Sequence, residues 1–309
     1  MELFHRQTHI DFMGMRKWTA ALSVIISVVS LFFLITKGLN FGLDFTGGTQ
    51  LELRFSNPVS FEVVRHQLEE AGFNGAKVTQ YGSTRDILVK IANKEGVSEQ
   101  QLGHQVLQVL RAEDSALELR RVEFVGSEVG EHLAEQGGLA VLVALLATMV
   151  YIAMRFEYRF GVSAAVALLH DPIFILGIFS CFQIEFDLAT LAGVLAVIGY
   201  SLNDTIVVYD RVRENFRKVR KGSTTEIMNL SINQTLSRTI MTSCLTLLVV
   251  LALYFFGGES LHGFSLALIV GIVIGTYSSI FVAGALAVVM GLSRQDLAPP
   301  TKKVVDDMP

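Results

Sequence analysis

Six long apolar segments constrain this chain more than any other feature of its sequence. A helix that crosses a bilayer needs about 20 mainly apolar residues. The segments that meet this requirement are Trp18–Thr36, Gly137–Met154, Gly161–Phe182, Leu188–Tyr209, Arg238–Phe256 and Phe264–Met290. Charged residues make up 17% of the chain, against about 25% in soluble domains. The sequence therefore predicts a membrane protein with an all-α bundle of six transmembrane helices.

Lysine and arginine are distributed unevenly among the connections between these segments. They lie before the first segment, between the second and third, and after the fourth, whereas 183–187 and 257–262 contain none. The positive-inside rule then predicts that both termini are cytoplasmic. The predicted division is a cytoplasmic N-terminus (1–17), a first span (18–36), an outer domain (37–136), five further spans (137–290) with a basic cytoplasmic loop at 210–237, and a cytoplasmic tail (291–309).

The outer segment, 37–136, alternates between strand-like and helix-like patterns. Strand patterns cover Thr49–Phe55, Lys77–Tyr81, Ile87–Ile91 and Leu117–Val125, and helical patterns cover Phe61–Ala71 and Glu99–Arg111. Ser60 is a candidate N-cap, and Ser98 with Gln101 has capping-box spacing. The order β-α-β-β-α-β is that of an α+β ferredoxin-like unit. We expect such a domain between the first two spans, followed by a helix over 126–136 that leads into the second span.

Asp204 is the most informative of the few ionisable residues inside the apolar segments, where a charge is costly and counts as a functional hypothesis. It lies about 7–8 Å inside the predicted end of the fourth segment at Tyr209. Tyr200 and Ser201 precede it at helical spacing, and Asn203 flanks it. Burial favours the neutral acid and a nearby arginine favours the carboxylate. Such a group suits a proton relay, and a static ion pair is the alternative.

Arg238, at the start of the fifth segment, is the candidate partner of Asp204. Thr242 and Thr246 follow at helical spacing and form a polar stripe with it. The predicted orientation brings Arg238 into the membrane from the cytoplasmic side, at about the depth of Asp204. The sequence therefore predicts an ion pair between the fourth and fifth spans. The alternative is an arginine that extends to the interface and only marks its position.

Two further polar or small-residue features lie within the spans. His170 and Asp171 fall near the middle of the third segment, just before Pro172, and a relay role and a packing role are equally consistent with them. Gly271 and Gly275 form a G-x-x-x-G motif in the last segment. That motif favours close helix packing. The alternative is a surface along which the last span slides against a neighbouring helix.

Motifs for enzymatic or cofactor chemistry are absent from the sequence. It contains no G-x-x-x-x-G-K-[ST] phosphate loop, no H-E-x-x-H zinc helix and no Cys-rich metal spacing. Cys181 and Cys244 both lie inside apolar segments, where a thiol behaves as a small hydrophobe. We therefore predict that the chain is not an enzyme and binds neither a metal nor an organic cofactor.

Several motifs resemble those of the SecD/SecF family of protein-export membrane proteins, within the RND superfamily. The run Ile198–Arg211, IGYSLNDTIVVYDR, resembles the family's fourth-span motif, and Phe41–Thr49, FGLDFTGGT, resembles the motif that opens its outer domain and includes Asp44, Gly47 and Gly48. Further matches are Val125–Gly130, Glu135–Gly138, Leu169–Asp171 and Gln234–Thr239. Together the matches extend over nearly the whole chain.

The resemblance implies a multi-pass protein of the bacterial cytoplasmic membrane that assists protein export. It implies SecD as partner beside the SecYEG channel, YajC and YidC as further candidate partners, a translocating polypeptide as substrate, and no nucleic acid. Protons would be the coupling ion, with Asp204 and Arg238 as the proton-pathway residues. The supporting polar residues would be Tyr200, Ser201, Asn203, Thr242, His170 and Asp171. A purely structural subunit and a small-molecule exporter of the same superfamily are the alternative functions.

Overall fold

The computed structural model describes residues 8–92, 99–219 and 222–292. Six spans in these ranges are long and apolar enough to cross a membrane, so each predicted transmembrane segment is confirmed as helical. The helices are α1 (Arg16–Thr36), α2 (Leu43–Thr46), α3 (Phe61–Glu70), α4 (Glu99–Glu113), α5 (Ser127–Arg155), α6 (Tyr158–Phe182), α7 (Leu188–Lys218), α8 (Thr224–Phe256), α9 (His262–Ser278) and α10 (Gly284–Val289). A π-helical turn, Ser279–Ala283, joins α9 to α10 and makes them one span.

The outer domain is a four-stranded antiparallel sheet covered on one face by α3 and α4. Its strands are β2 (Gly48–Arg54), β3 (Lys77–Gln80), β4 (Asp86–Ala92) and β5 (Glu118–Val125), in the spatial order β3-β4-β2-β5. Alternate residues of the central strands, such as Leu51 and Val89, are fully buried against apolar positions of the helices. All the strands and helices predicted within 49–125 are confirmed, as is the N-cap at Ser60, which accepts a hydrogen bond from the Glu62 N–H. The proposed cap at Ser98 lies outside the described residues.

Two short strands attach the outer domain to the helical bundle. Strand β1 (Asn40–Phe41) follows α1, and β6 (Glu185–Phe186) lies in the turn between α6 and α7. They pair in parallel and form a separate two-stranded sheet. The sequence patterns did not predict this sheet because two-residue strands carry no periodicity.

The interior of the bundle is formed by α6, α7 and α9, which are about half-buried, while α1, α5 and α8 expose most of their surface. Glycines allow α7 and α9 to approach closely. A Cβ atom at Gly271 would lie 2.1 Å from Cγ2 of Val197, and one at Gly275 would lie 3.0 Å from Cβ of Ser201. The predicted close packing of the G-x-x-x-G face is therefore confirmed.

The connection at 210–237, which we predicted as a basic loop between two spans, is largely helical in its described residues. Helix α7 continues to Lys218, and α8 begins at Thr224 behind a capping box formed by Ser223 and Glu226. The two extensions pack together because their apolar faces share one buried cluster, which contains Phe216 of α7 and Met228 of α8. The apolar faces of these extensions therefore serve helix–helix packing.

Candidate functional site

Asp204 lies in the middle of α7 and is almost completely buried, with 3% of its surface exposed. Its carboxylate atom Oδ2 has no hydrogen-bond partner among the residues that the structure describes. A buried polar atom in a protein interior is normally hydrogen-bonded, and each exception requires an explanation. An ionisable residue so placed within a span counts as a functional hypothesis.

Arg238 lies on α8 and is exposed at the surface of the bundle. Its positive charge acts electrostatically on the Asp204 carboxyl, but within the described ranges no ion pair joins the two side chains. The predicted direct ion pair is thus not formed in this conformation. A charged side chain within a span is costly, and such residues normally pair with another group or extend to the interface.

Asp171 is the most heavily hydrogen-bonded carboxylate of the bundle interior and is 1% exposed. Its Oδ2 atom accepts from the Ser201 hydroxyl at 2.5 Å and from the Ser278 hydroxyl at 2.8 Å. Its Oδ1 atom lies 3.0 Å from Nδ1 of His170. These contacts join α6, α7 and α9 at one point, which we call the Asp171 cluster. Nε2 of His170 is buried and has no hydrogen-bond partner among the described residues.

The other predicted polar residues are divided between different contacts. The Ser201 hydroxyl, predicted to lie on the same helical face as Asp204, donates to Asp171. The Tyr200 hydroxyl donates to Ser243 at 3.4 Å. The Thr242 hydroxyl donates to backbone carbonyl oxygens within α8, and Asn203 is exposed. The structure therefore brings His170, Asp171 and Ser201 together, with Asp204 one helical turn from Ser201. It leaves Arg238 and Asn203 exposed and Thr242 half-buried.

The sequence assigned no role to three hydroxyl groups in the interior. Ser278 completes the Asp171 cluster, and Ser243 bonds Thr276 at 2.8 Å between α8 and α9. One signal could have identified Ser278: it lies at helical spacing from Gly275, on the face that approaches Ser201 and α7. The sequence alone does not show which carboxylate that face meets.

The motif Asp44, Gly47 and Gly48 lies where the outer domain meets the bundle. The Asp44 carboxylate accepts a hydrogen bond from the Leu188 N–H at 3.0 Å, in the first turn of α7. Gly47 has a φ of 73°, a value that favours glycine. A Cβ at Gly130 of α5 would lie 2.8 Å from the Gly47 nitrogen, so these glycines allow α5 to pack against the chain that enters the sheet.

The arrangement of the interior groups is suited to holding or moving protons. It contains two buried carboxylates, one histidine and several hydroxyls, all of which can exchange protons without a prosthetic group. Within the described ranges, no group of three or more His, Cys, Asp or Glu side chains is placed to hold a metal ion.

Comparison with known proteins identifies the relatives of the chain. The model "Protein export membrane protein SecD/SecF, C-terminal" matches residues 105–293, and the model "SecD/SecF GG Motif" matches residues 32–59. The protein translocase subunit SecF of Vibrio alginolyticus is 48% identical over 97% of this chain and 95% of its own length. The SecF subunit of Pseudomonas aeruginosa is 48% identical over 97% and 98%, and that of Escherichia coli O157:H7 is 45% identical over 96% and 92%.

A solved structure extends the likeness to the fold. The crystal structure of SecDF, a translocon-associated membrane protein from Thermus thermophilus, matches with a TM-score of 0.82 at 40% identity and covers 93% of this chain. A second structure, SecDF in a super-membrane-facing form, matches with a TM-score of 0.71 at 39% identity. The chain spans 39% of each SecDF chain. The family models, the full-length relatives and the shared fold agree, and the chain belongs to the SecD/SecF family of protein-export membrane proteins, among its SecF members.

Proposed function

We propose that this chain is an accessory subunit of Sec protein export, which acts with SecD and couples the proton motive force to the movement of exported polypeptides. The observation that carries the proposal is Asp204, a buried carboxyl within a span that has one oxygen atom unpartnered in the described part of the chain. An ionisable residue in that position marks an ion or proton pathway by default. Protons are the proposed coupling ion, and no cofactor is needed.

Arg238 supports a pathway that is completed by a second protein. It is exposed on α8, and its guanidinium makes no ion pair within the described ranges. An acidic residue of SecD would remove the cost of that exposed charge within the membrane. The SecDF structures are consistent with this arrangement, since this chain spans 39% of each SecDF chain. The two halves together would then form the proton pathway.

The proposed mechanism is a protonation-dependent movement of α7 and α8. Asp204 takes up a proton from the outer side, which weakens its electrostatic attraction to Arg238 and allows the two helices to shift. Release of the proton on the inner side resets the pair. His170, Asp171, Ser201, Tyr200, Asn203 and Thr242 are the proposed supporting polar residues. One charge crossing 100 mV supplies about 2.3 kcal/mol, which changes a conformational equilibrium roughly 50-fold. That energy can prevent backward sliding of an unfolded chain.

The proposed setting is the bacterial cytoplasmic membrane beside SecYEG, with YajC and YidC as further partners and both termini in the cytoplasm. Basic residues concentrate at the end of the bundle opposite the outer domain, which supports that orientation. The outer domain is proposed to be ferredoxin-like. Its β-α-β-β-α-β order and its central pair of strands, β4 and β2, support that class. Its role would be to contact the translocating polypeptide.

The test is protein export by membrane vesicles that carry Asp204→Asn, with co-purification of SecD from the same membranes. We expect export to lose its stimulation by the proton gradient while SecD still co-purifies. Asp210→Asn is the matched control, because Asp210 is on the same helix but is half-exposed and paired with Arg155 at 2.9 Å. Retained stimulation in Asp204→Asn would refute the relay. Joint loss of export and SecD would identify a structural subunit, and gradient-driven efflux of small molecules without an effect on export would identify an exporter.

A further inference from the structure

We propose that the outer domain is mechanically coupled to α7 through the turn between α6 and α7, and that Asp44, Lys90 and Glu185 are the positioning residues of this coupling. The inference rests on the proposed function, in which α7 moves when Asp204 changes its protonation state. It adds a third connection to the two covalent ones, which run through α1 and α5. We call the contact region the outer joint: residues 40–46 and Lys90 on the domain side, and residues 183–188 on the bundle side.

The backbone forms the first part of the outer joint. Strands β1 and β6 pair in parallel, with Asn40 opposite Glu185 and Phe41 opposite Phe186. The Gly42 N–H donates to the Phe186 carbonyl oxygen at 2.9 Å, and the Asn40 amide donates to the Gln183 carbonyl oxygen at 2.8 Å. These bonds fix the turn to the segment that leads directly into the outer sheet.

Charged side chains form the second part. Lys90 lies in the central strand β4, and its Nζ atom contacts Oε1 of Glu185 at 2.7 Å. The two side chains are 19% and 27% exposed, so this ion pair is better shielded from water than a surface pair. Lys77 lies 3.9 Å from the other Glu185 oxygen and donates to the Asn40 side chain at 3.0 Å. The sheet therefore holds the turn through Glu185.

The N-terminus of α7 forms the third part. The first N–H groups of a helix have no partner within the helix. Asp187 accepts from the Thr190 N–H at 2.7 Å, and Asp44 accepts from the Leu188 N–H at 3.0 Å. The cap supplied by Asp44 thus comes from the segment that leads into the outer domain. A negative side chain at this end also interacts favourably with the helix dipole.

Aromatic packing prevents the two sides of the outer joint from separating independently. The Phe45 and Phe186 rings stack with centroids 6.0 Å apart, and Phe41 and Phe179 pack edge-on against Phe186 at 6.2 Å. Phe45, Phe179 and Phe186 are buried in one cluster with residues of α7. The apolar contacts and the polar contacts therefore hold the same elements together.

Helix α7 carries the connection from the outer joint to Asp204. Asp204 lies 16 residues beyond Leu188, or about 24 Å along one continuous helix. A helix transmits an axial displacement over that distance because its hydrogen bonds resist extension. The outer domain should therefore follow the outer end of α7 as one body, and a shift at Asp204 should reach the sheet without passing through α1 or α5.

The first experiment uses charge reversal in the full chain with SecD in membranes. Lys90→Glu and Glu185→Lys each place like charges in contact, which costs several kcal/mol. In each single variant we expect the gradient-dependent stimulation of export to fall about tenfold, which corresponds to a free-energy difference of about 1.4 kcal/mol. SecD should still co-purify. The double variant restores opposite charges and should recover the stimulation. Failure of the double variant to recover, or full stimulation in both single variants, would overturn the inference.

The second experiment removes the Glu185 carboxylate and links its position covalently to its backbone partner at position 40. Asn40→Cys with Glu185→Cys, in a Cys181→Ser, Cys244→Ser background, places two thiols on directly paired residues, at a separation that suits a disulfide. If the outer joint moves as one body, oxidation should restore the stimulation that the reduced variant lacks. A loss of export on oxidation that a reductant reverses would show that the outer joint must open, and would overturn the inference.

A third measurement separates this inference from the proposed function. Amide hydrogen exchange at 183–191 reports the outer joint directly, and it should accelerate in Lys90→Glu and return to the wild-type rate in the double variant. Unchanged exchange in Lys90→Glu overturns the coupling. Retained stimulation in Asp204→Asn would refute the proton relay, while accelerated exchange in Lys90→Glu would still support the outer joint.

Discussion

Substitution of Gly271 by alanine tests whether the bundle depends on the close contact between α7 and α9. A Cβ atom at this position would lie 2.1 Å from Cγ2 of Val197, whereas ordinary contact begins at 3.4 Å. The difference, 3.4 − 2.1, requires a displacement of 1.3 Å. Val197 cannot easily turn away, because a β-branched residue in a helix has one strongly preferred χ1 rotamer. The helices must therefore separate.

The separation reaches the Asp171 cluster because Ser201 and Ser278 lie on the same two helices. The Ser278–Asp171 hydrogen bond of 2.8 Å would lengthen beyond bonding distance if it opened by the same 1.3 Å. Overpacking costs about 1–3 kcal/mol, and each interhelical hydrogen bond contributes about 0.6 kcal/mol, with a maximum near 1.7. The higher helix propensity of alanine relative to glycine offsets about 1 kcal/mol of this destabilisation. We expect Gly271→Ala to lower the free energy of unfolding by about 1–4 kcal/mol.

The assay is unfolding of the purified full chain in detergent, by heat or by titration with a denaturing detergent. Gly199→Ala is the matched control, because a Cβ at Gly199 of α7 meets no atom within 4 Å. Val197→Ala removes the opposing methyl groups and should rescue Gly271→Ala, with a coupling energy of about 0.5–3 kcal/mol in the double-mutant cycle. Equal stability of Gly271→Ala and Gly199→Ala, or zero coupling with Val197→Ala, would refute this reasoning.

Two further predictions concern carboxylates. Asp171→Ala removes the acceptor of Ser201 and Ser278, so it should lower the free energy of unfolding in the same assay by about 1–3 kcal/mol. Asp171→Asn keeps an acceptor and should destabilise the bundle less. Equal effects of the two variants would contradict the role of the cluster. In the outer domain, the Ser56 hydroxyl and N–H donate to Asp114 and hold the pKa of Asp114 below its ordinary value of 3.8. The resulting stability is present above the ordinary pKa and is lost as the pH falls through the lower pKa of the folded state. Protection of the outer-domain amides, corrected for the intrinsic pH dependence of exchange, should therefore fall less below pH 3.8 in Asp114→Asn.

The sequence predicted the elements of the fold because their signals are local. Apolar segments of span length and alternating strands require no knowledge of their neighbours, and the glycines of the G-x-x-x-G motif indicate close packing by their size. The helical extensions within 210–237 were not predicted, because charged residues conceal an apolar face that only a partner helix explains. Phe216 and Met228 show that face in the structure.

The contacts of the candidate site were harder to predict because they depend on how the helices are rotated about their axes. Helical spacing placed Ser201 beside Asp204, but the neighbouring helices present Asp171 to that hydroxyl. The outer joint was also missed. The partners Lys90 and Glu185 are separated by 95 residues, and neither lies in an unusual local pattern. Long-range polar contacts of this kind are determined by packing and leave no periodic signal.

The helical extensions of α7 and α8 also determine the height of the molecule. With 31 and 33 residues, these helices are about 46 and 50 Å long, whereas the hydrocarbon core is about 30 Å thick. Because α7 starts at the outer joint, the excess of about 15–20 Å emerges at the opposite face of the membrane. A protein that approaches that face along the bilayer therefore meets a two-helix projection, which is about half as tall as a small domain is wide, before it reaches the ends of the other spans.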